Sequence, residues 1–281
     1  MCAEYRQQYE SLFDEYRAKT YTNYSFEWKS TTSPISIDSS HFIYEGVLHS
    51  YSKELEKMDH FILTLDKLIA CSSSRPDSNI RNNLRLGSIN YYLKLENPTL
   101  KKFTRDKRYG LRLVSNNMVQ DFMCDSKEDM LKWFECFKLV SVQEHIEKSY
   151  ILREVIGSGS SATVRMGKRN DQEYAIKSIS KRNYSEKRHS LVHLMNEIYY
   201  LRKLKMKNII ALYEIYEDEK FVHLVFEFMH GGELQVKVKD SKRLRESDAI
   251  NIMKQLLEAV EYCHSNKVVH RDIKPRNIIL R

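Results

Sequence analysis

Four groups of residues in this sequence have the chemistry to handle a phosphate, and they follow one another in order. Gly157-Ser158-Gly159-Ser160-Ser161-Ala162-Thr163-Val164 is Gly-rich, and glycines let backbone amides approach a phosphate closely. Tyr174-Ala175-Ile176-Lys177 is a strand-like run ending in an amine with apolar neighbours. Twenty residues on, Glu197 offers that amine a carboxylate partner. Finally, His270-Arg271-Asp272-Ile273-Lys274-Pro275-Arg276-Asn277 sets an acid five residues before an amide. A loop carboxylate so placed can accept the proton of an attacking hydroxyl while the amide oxygen ligates a metal. Singly, these are a hairpin turn, a surface lysine, an edge carboxylate and a chance tetrad. In this order they point to phosphoryl transfer.

Each group needs an element to hold it. Leu191 to Lys205 has helical spacing, with Leu194, Ile198, Leu201 and Leu204 near one face. Glu197 lies one turn from Leu194 and Leu201, and an isolated carboxylate on a packed face is costly unless paired. A Lys177–Glu197 pair would satisfy it; the other reading, that Glu197 sits at the stripe's edge in solvent, stays open. Leu224 to Met229 reads as a buried strand, and His230-Gly231-Gly232-Glu233-Leu234 as the hand-over from sheet to helices. A helix is expected from Glu246 to Ser265, with Ile250, Met253, Leu257, Val260 and His264 near one stripe.

The N-terminal half is patterned differently. Glu4 to Ala18 could form a short polar helix, and Ser30 to Ser40 reads as linker. Short strands are expected at Gly46–Tyr51, Phe61–Leu65 and Leu68–Cys71. After a polar excursion (Ser72 to Gly87) they resume at Tyr91–Leu95, Tyr109–Val114 and Val119–Met123. Asp125-Ser126 then precedes a helix with Met130, Leu131, Phe134 and Phe137 on its apolar side.

Composition narrows the class. The 281 residues suggest about two domains, and 42% hydrophobic with 30% charged residues is globular composition. No apolar run approaches the ~20 residues that span a bilayer, and no secretory signal is evident, so a soluble intracellular protein is expected. Five cysteines without a C-x-x-C pair argue against a disulfide framework or zinc ribbon. The net charge of +8 lies wholly after residue 145, where 26 basic residues face 18 acidic ones. Such an excess suits a polyanion, nucleic acid or nucleotide phosphate alike. It is scattered, with no stacking or groove-reading motif, so nucleic acid is not expected as a partner.

From about Tyr150 onward the sequence resembles a eukaryotic serine/threonine protein kinase, on the strength of the Gly-rich segment, A-I-K, Glu197 and H-R-D-x-x-x-x-N. Gly-Gly-Glu-Leu and the run from Val269 to Pro275 look most like the calcium/calmodulin-dependent group. Residues 42–142 resemble a pleckstrin-homology domain through Phe61-Ile62-Leu63-Thr64-Leu65 and Asp129-Met130-Leu131-Lys132-Trp133. The expected fold is therefore α+β. A curved sheet or barrel capped by a C-terminal helix precedes a kinase N-lobe of antiparallel sheet plus one helix, then the start of a helical lobe. The expected division is 1–41 extension and linker, 42–142 pleckstrin-homology-like domain, and 150–281 incomplete kinase domain.

The resemblance implies roles. Gly157, Gly159 and Ala162 would cover the ATP phosphates, with Val164 and Ala175 on the adenine and Ile279 closing the pocket from below. Lys177 would hold phosphate and pair with Glu197. Phe226 would be the gatekeeper, Glu227 and Met229 would offer backbone bonds to adenine, and Glu233 would face the ribose. Asp272 would be the base, Lys274 would steady the transferred phosphate, and Asn277 would bind Mg²⁺. His264 and His270 are expected as core histidines.

ATP and Mg²⁺ are the implied cofactors, and a protein is the implied substrate. The first domain would take a phosphoinositide or a protein. Its hairpin region offers Lys53 and Lys57 but also Glu54, Glu56 and Asp59, which disfavours phosphate. A cytoplasmic, peripherally membrane-associated protein is implied. Two departures stand out: Ala162 replaces a loop glycine, and Arg276 replaces the acid that commonly precedes the loop Asn. The family's Asp-Phe-Gly motif is also not reached by Arg281, so these residues are expected to be part of a longer kinase and nearly inactive alone. The alternative is a non-catalytic ATP-binding or scaffold fragment. The connection between the two folds, about Ser141 to Ser149, is short enough that the first domain is expected to touch the lobe bearing Glu197.

Overall fold

The computed structural model describes residues 11–20, 25–31, 36–37, 41–51, 55, 58–72, 84–85, 90–159, 162–185 and 188–281. It forms two compact units: Met1–Ile146 with Ser180–Val192 and Glu214–His223, and Glu147–Ile179 with His193–Tyr213 and Leu224–Arg281.

The first unit opens with helix α1 (Leu12–Thr20) and continues through β1 (Lys29–Thr31), β2 (Ser36–Ile37), β3 (Phe42–Val47), β4 (His49–Ser50), β5 (Met58–Thr64) and β6 (Lys67–Ser72). After β7 (Leu84–Arg85) come β8 (Asn90–Lys94), β9 (Thr99–Arg105), β10 (Arg108–Ser115), β11 (Met118–Cys124) and helix α2 (Lys127–Lys138). One antiparallel sheet has the order β1-β8-β6-β5-β3 and a second the order β4-β11-β10-β9, while β2 pairs with β7. Only the buried Leu48 separates β3 from β4, so one extended run passes from sheet to sheet. The expected barrel is corrected to two sheets: among the described residues no closed barrel forms.

The two sheets and α2 share a core of Phe61, Leu68, Leu111, Phe122, Trp133 and Phe137. Ser126 caps α2, its Oγ accepting from the Asp129 amide at 3.0 Å, and the Trp133 indole donates to the Val47 carbonyl at 3.2 Å. Met130, Trp133 and Phe137 form the buried stripe, whereas Leu131, expected on it, is one step off and 40% exposed. Strand β9 was not legible, because Lys101-Lys102 interrupts its alternation. The stretch expected as extension and linker is structured where described. Phe26 joins the core, β1 adds an edge strand, and α1 buries Leu12, Phe13 and Arg17. The hairpin residues 52–54 and 56–57, and most of the polar excursion, lie outside the described residues.

The sequence from residue 150 on begins with β12 (Ile151–Ser158), β13 (Ala162–Arg169), β14 (Gln172–Ser180), α3 (Arg182–Ser185) and α4 (Arg188–Lys203). It continues through β15 (Leu212–Glu217), β16 (Phe221–Glu227), β17 (Gly232–Glu233), α5 (Leu234–Ser241), α6 (Glu246–Ser265) and β18 (Ile279–Leu280). The strands β12-β13-β14-β16-β15 form one sheet, and β17 pairs with β18. On α4 the residues Leu191, Leu194, Met195 and Ile198 are buried. Along α6, Ile250, Met253 and Leu257 are exposed and Cys263 is buried. His264 and His270 are exposed, so the expectation of core histidines is corrected: neither side chain is packed into the core. Cys71, Cys124, Cys136 and Cys263 are free thiols, and burial pushes Cys71 up to about 11 and Cys124 up to about 12. No helix among the described residues is long and apolar enough to cross a membrane.

Candidate active site

Every residue singled out for phosphate chemistry falls in the second unit. The β12–β13 hairpin closes with the Gly159 amide donating to the Ala162 carbonyl at 2.9 Å; Ser160 and Ser161 lie outside the described residues. Pairing register then sets a row across three strands. Gly157 is opposite Val164, and Val164 is opposite Lys177. Since side chains alternate along a strand, Ala175 shares the sheet face of Lys177. Register alone thus aligns Gly157, Val164, Ala175 and Lys177.

Helix α4 supplies the partner. The Lys177 Nζ donates to Glu197 Oε1 at 2.9 Å. The two side chains are 32% and 45% exposed, so desolvation does not force the pair. Glu197 sits at the edge of the buried α4 stripe, partly solvated and paired at once.

A second constellation closes on itself in the loop after α6. Asp272 Oδ2 accepts from Lys274 Nζ and from Asn277 Nδ2, each at 2.9 Å. The same Asn277 amide nitrogen donates to the Asp272 carbonyl at 2.8 Å, and the Asp272 amide donates to His270 Nδ1 at 3.2 Å. The hydrogen bonds from Lys274 and Asn277 hold the Asp272 carboxyl below its ordinary value, so it is ionised at neutral pH. Asn277 has its nitrogen committed to Asp272, which leaves its oxygen as the free end of the amide.

The remaining residues line the strand-to-helix passage. Phe226 is buried near the end of β16. The Glu227 amide donates to the Ala211 carbonyl at 3.1 Å, and its carboxylate accepts from the Ala211 amide at 2.9 Å and from Arg281 at 3.1 Å. Met229 is half-buried in the segment that follows β16. Glu233, exposed, pairs in register with Ile279 across β17 and β18. Both hand-over glycines have a reason: a Cβ on Gly231 would lie 2.6 Å from the Leu280 carbonyl oxygen, and Gly232 has φ +67°. The Glu227 carboxylate bonds and the Arg276–Gln235 bond of 2.9 Å were not read from sequence, because nothing in their spacing announces them.

The residues present suit a nucleotide phosphate and a hard cation. A Cβ at Gly157 or Gly159 would come no nearer than 3.7 Å or 3.8 Å to other atoms. The protein's own packing therefore does not demand glycine there, and the bare backbone leaves room for a bound group. Asp272 and the Asn277 oxygen are hard oxygen donors of the kind Mg²⁺ takes, with water and phosphate completing its shell. Among the described residues no cluster of three or more His, Cys, Asp or Glu could hold a metal unaided.

A family model described as protein kinase domain matches residues 150–281. The probable serine/threonine-protein kinase fhkC of Dictyostelium discoideum is 42% identical over 136 residues, covering 48% of this chain and 23% of that protein. Calcium/calmodulin-dependent protein kinase type 1 of Caenorhabditis briggsae is 41% identical over 137 residues, covering 48% of this chain and 38% of that protein. Calcium-dependent protein kinase 5 of Plasmodium falciparum (isolate 3D7) is 32% identical over 229 residues, covering 79% of this chain and 36% of that protein. The chain thus spans well under half the length of these curated relatives.

Proposed function

We propose, on the premise that residues 150–281 belong to the protein kinase domain family, that the intact protein transfers a phosphoryl group from ATP to Ser or Thr hydroxyls of protein substrates. The observation that carries this reading is the Lys177–Glu197 pair at 2.9 Å in one unit with the closed Asp272–Asn277 loop. ATP supplies the phosphoryl group, and Mg²⁺ the charge that neutralises it. Glu197 fixes the Lys177 ammonium so that its remaining N–H groups are presented to phosphate oxygens. Asp272, ionised, takes the hydroxyl proton as the new O–P bond forms and the bond from the γ-phosphorus to the bridging oxygen breaks, releasing ADP. Lys274 keeps that carboxylate charged and supplies a cation beside the transferred group. Asn277 orients Asp272 through its nitrogen and offers its oxygen to the cation. Gly157, Gly159 and Ala162 lie over the phosphates. Val164, Ala175 and Ile279 would hold the base, Phe226 would guard the back, the Glu227 and Met229 backbones would bond the base, and Glu233 would meet the ribose.

The paired sheets with α2 packed on their core support a pleckstrin-homology-like module in the first unit. We assign it a protein or phosphoinositide partner, and the molecule a cytoplasmic, peripherally membrane-associated place. Transfer of labelled phosphate from ATP to Ser, Thr and Tyr peptides by the intact protein tests the main reading. Ser and Thr labelling is expected, falling roughly 10²–10⁴-fold in Asp272→Asn with nucleotide affinity retained. Labelling indifferent to that substitution rules the assignment out.

A further inference from the structure

The carboxylate of Glu217, at the end of β15, is 3% exposed. Burying a charge is costly unless it is paired and hydrogen-bonded, and Glu217 draws its partners from two distant parts of the chain. Lys181 Nζ lies 3.0 Å from Oε1, the Leu12 amide donates to the same oxygen at 2.5 Å, and Ser11 Oγ donates to Oε2 at 2.7 Å. The acid therefore sits at the N-terminus of α1, where free amides and the helix dipole favour it. The other end of α1 is pinned too. Arg17, 1% exposed, donates to the Asn97 carbonyl at 3.1 Å and to Asn116 Oδ1 at 3.3 Å, and it also bonds the Glu96 carbonyl and Asp14. Leu12 and Phe13 are buried between these anchors.

Lys181 leads from this acid to the elements that carry Lys177 and Glu197. It follows β14 directly, four residues past Lys177, and the chain then runs through α3 into α4, which bears Glu197. Its side chain is 11% exposed, its amide donates to the Lys220 carbonyl at 2.9 Å, and its Nζ also donates to the Asp218 carbonyl at 3.2 Å. The junction between the strand carrying the amine and the helix carrying the carboxylate is thus tied to a buried acid whose other donors come from α1.

We infer that α1 is a positioning clamp: through Glu217 and Lys181 it holds the β14–α4 connection and so sets the Lys177–Glu197 geometry. Without α1, Glu217 would lose the Ser11 and Leu12 donors while staying buried against Lys181. The nucleotide arm of the test below rests on the ATP reading; the exchange arm does not.

Phe13→Asp undocks α1 from within α1 itself, and Lys181→Met releases the clamp from the other side. In the full chain, amide exchange of residues 188–203 is expected to speed up roughly fivefold or more in each variant, while β10 and β11 keep their protection. MgATP affinity should fall by a similar factor, and Phe13→Leu should restore both. Unchanged exchange of residues 188–203 with α1 released overturns the clamp. If wild type fails to bind MgATP, the ATP reading fails, and the exchange arm still decides the clamp.

Discussion

At the level of single residues, the chemistry turns on one ionised carboxylate. Lys274 and Asn277 both donate to Asp272 Oδ2, and their effect is to lower its pKa below the ordinary 3.8. A lowered acid keeps its charge as pH falls through the usual carboxylate range and loses it only below. The Asp272 carboxyl therefore stays ionised throughout that range. Carbon-detected NMR of the Asp272 carboxyl should show a midpoint below 3.8 that climbs in Lys274→Ala. An unmoved midpoint would mean that Lys274 does not hold the Asp272 carboxylate in its ionised form. The acid and amide were legible through their place in the ordered set of four groups, and the structure adds that the five-residue loop folds them onto each other. For Glu197 the sequence left open a paired and a solvated reading, and the structure holds part of each, since helical periodicity marks a face and not how far its edge opens. Gln235, which holds Arg276 at 2.9 Å, had no pattern to reveal it.

Elements carry the site by register. Helix α6 runs from Glu246 to Ser265, as its periodicity predicts, and the Gly231-Gly232 break stands where sheet gives way to helix. Sequence placed that break without its cause, which is the β17–β18 ribbon formed by residues nearly fifty positions apart. Gly231→Ala drives a Cβ to 2.6 Å from the Leu280 carbonyl oxygen, a backbone atom that cannot swing aside. A loss of about 1–3 kcal/mol is expected, read as a lower Tm with β18 amides losing protection first. A variant as stable as wild type would show that the ribbon shifts freely. The strands of the first unit were read where β-branched or aromatic runs end in turn-like interruptions. Thr99–Arg105 was missed because two lysines stand side by side, and its strand identity comes from Leu100–Lys102 pairing with Leu111–Leu113 of β10.

For the molecule as a whole, the start of the short connection read as a linker is hydrogen-bonded within the first unit. The Val142 amide donates to the Pro98 carbonyl at 2.9 Å, the Gln143 amide to Ile215 at 2.9 Å, and the Glu217 amide to Gln143 at 2.8 Å. Beside it, Lys138 and Glu214, 7% and 4% exposed, pair at 2.7 Å, and the Tyr216 hydroxyl donates to the same carboxylate. Neither partner could be foreseen, because 76 residues separate them and each looks like a surface charge in its own segment. Breaking a buried pair from one side strands the other charge, so Lys138→Met should cost about 3–5 kcal/mol in urea unfolding. Lys138→Met with Glu214→Leu should cost clearly less than Lys138→Met alone. Additive losses would contradict a buried, mutually dependent pair.

The proposed phosphoryl transfer requires Lys177 and Glu197 to act together on a bound triphosphate. Calorimetric titration of MgATP into wild type, Lys177→Met and Glu197→Gln tests this most directly. Binding to wild type is expected, weakened roughly tenfold or more by the loss of the amine and by a smaller factor when Glu197 is neutralised. Equal affinity in all three proteins would contradict it.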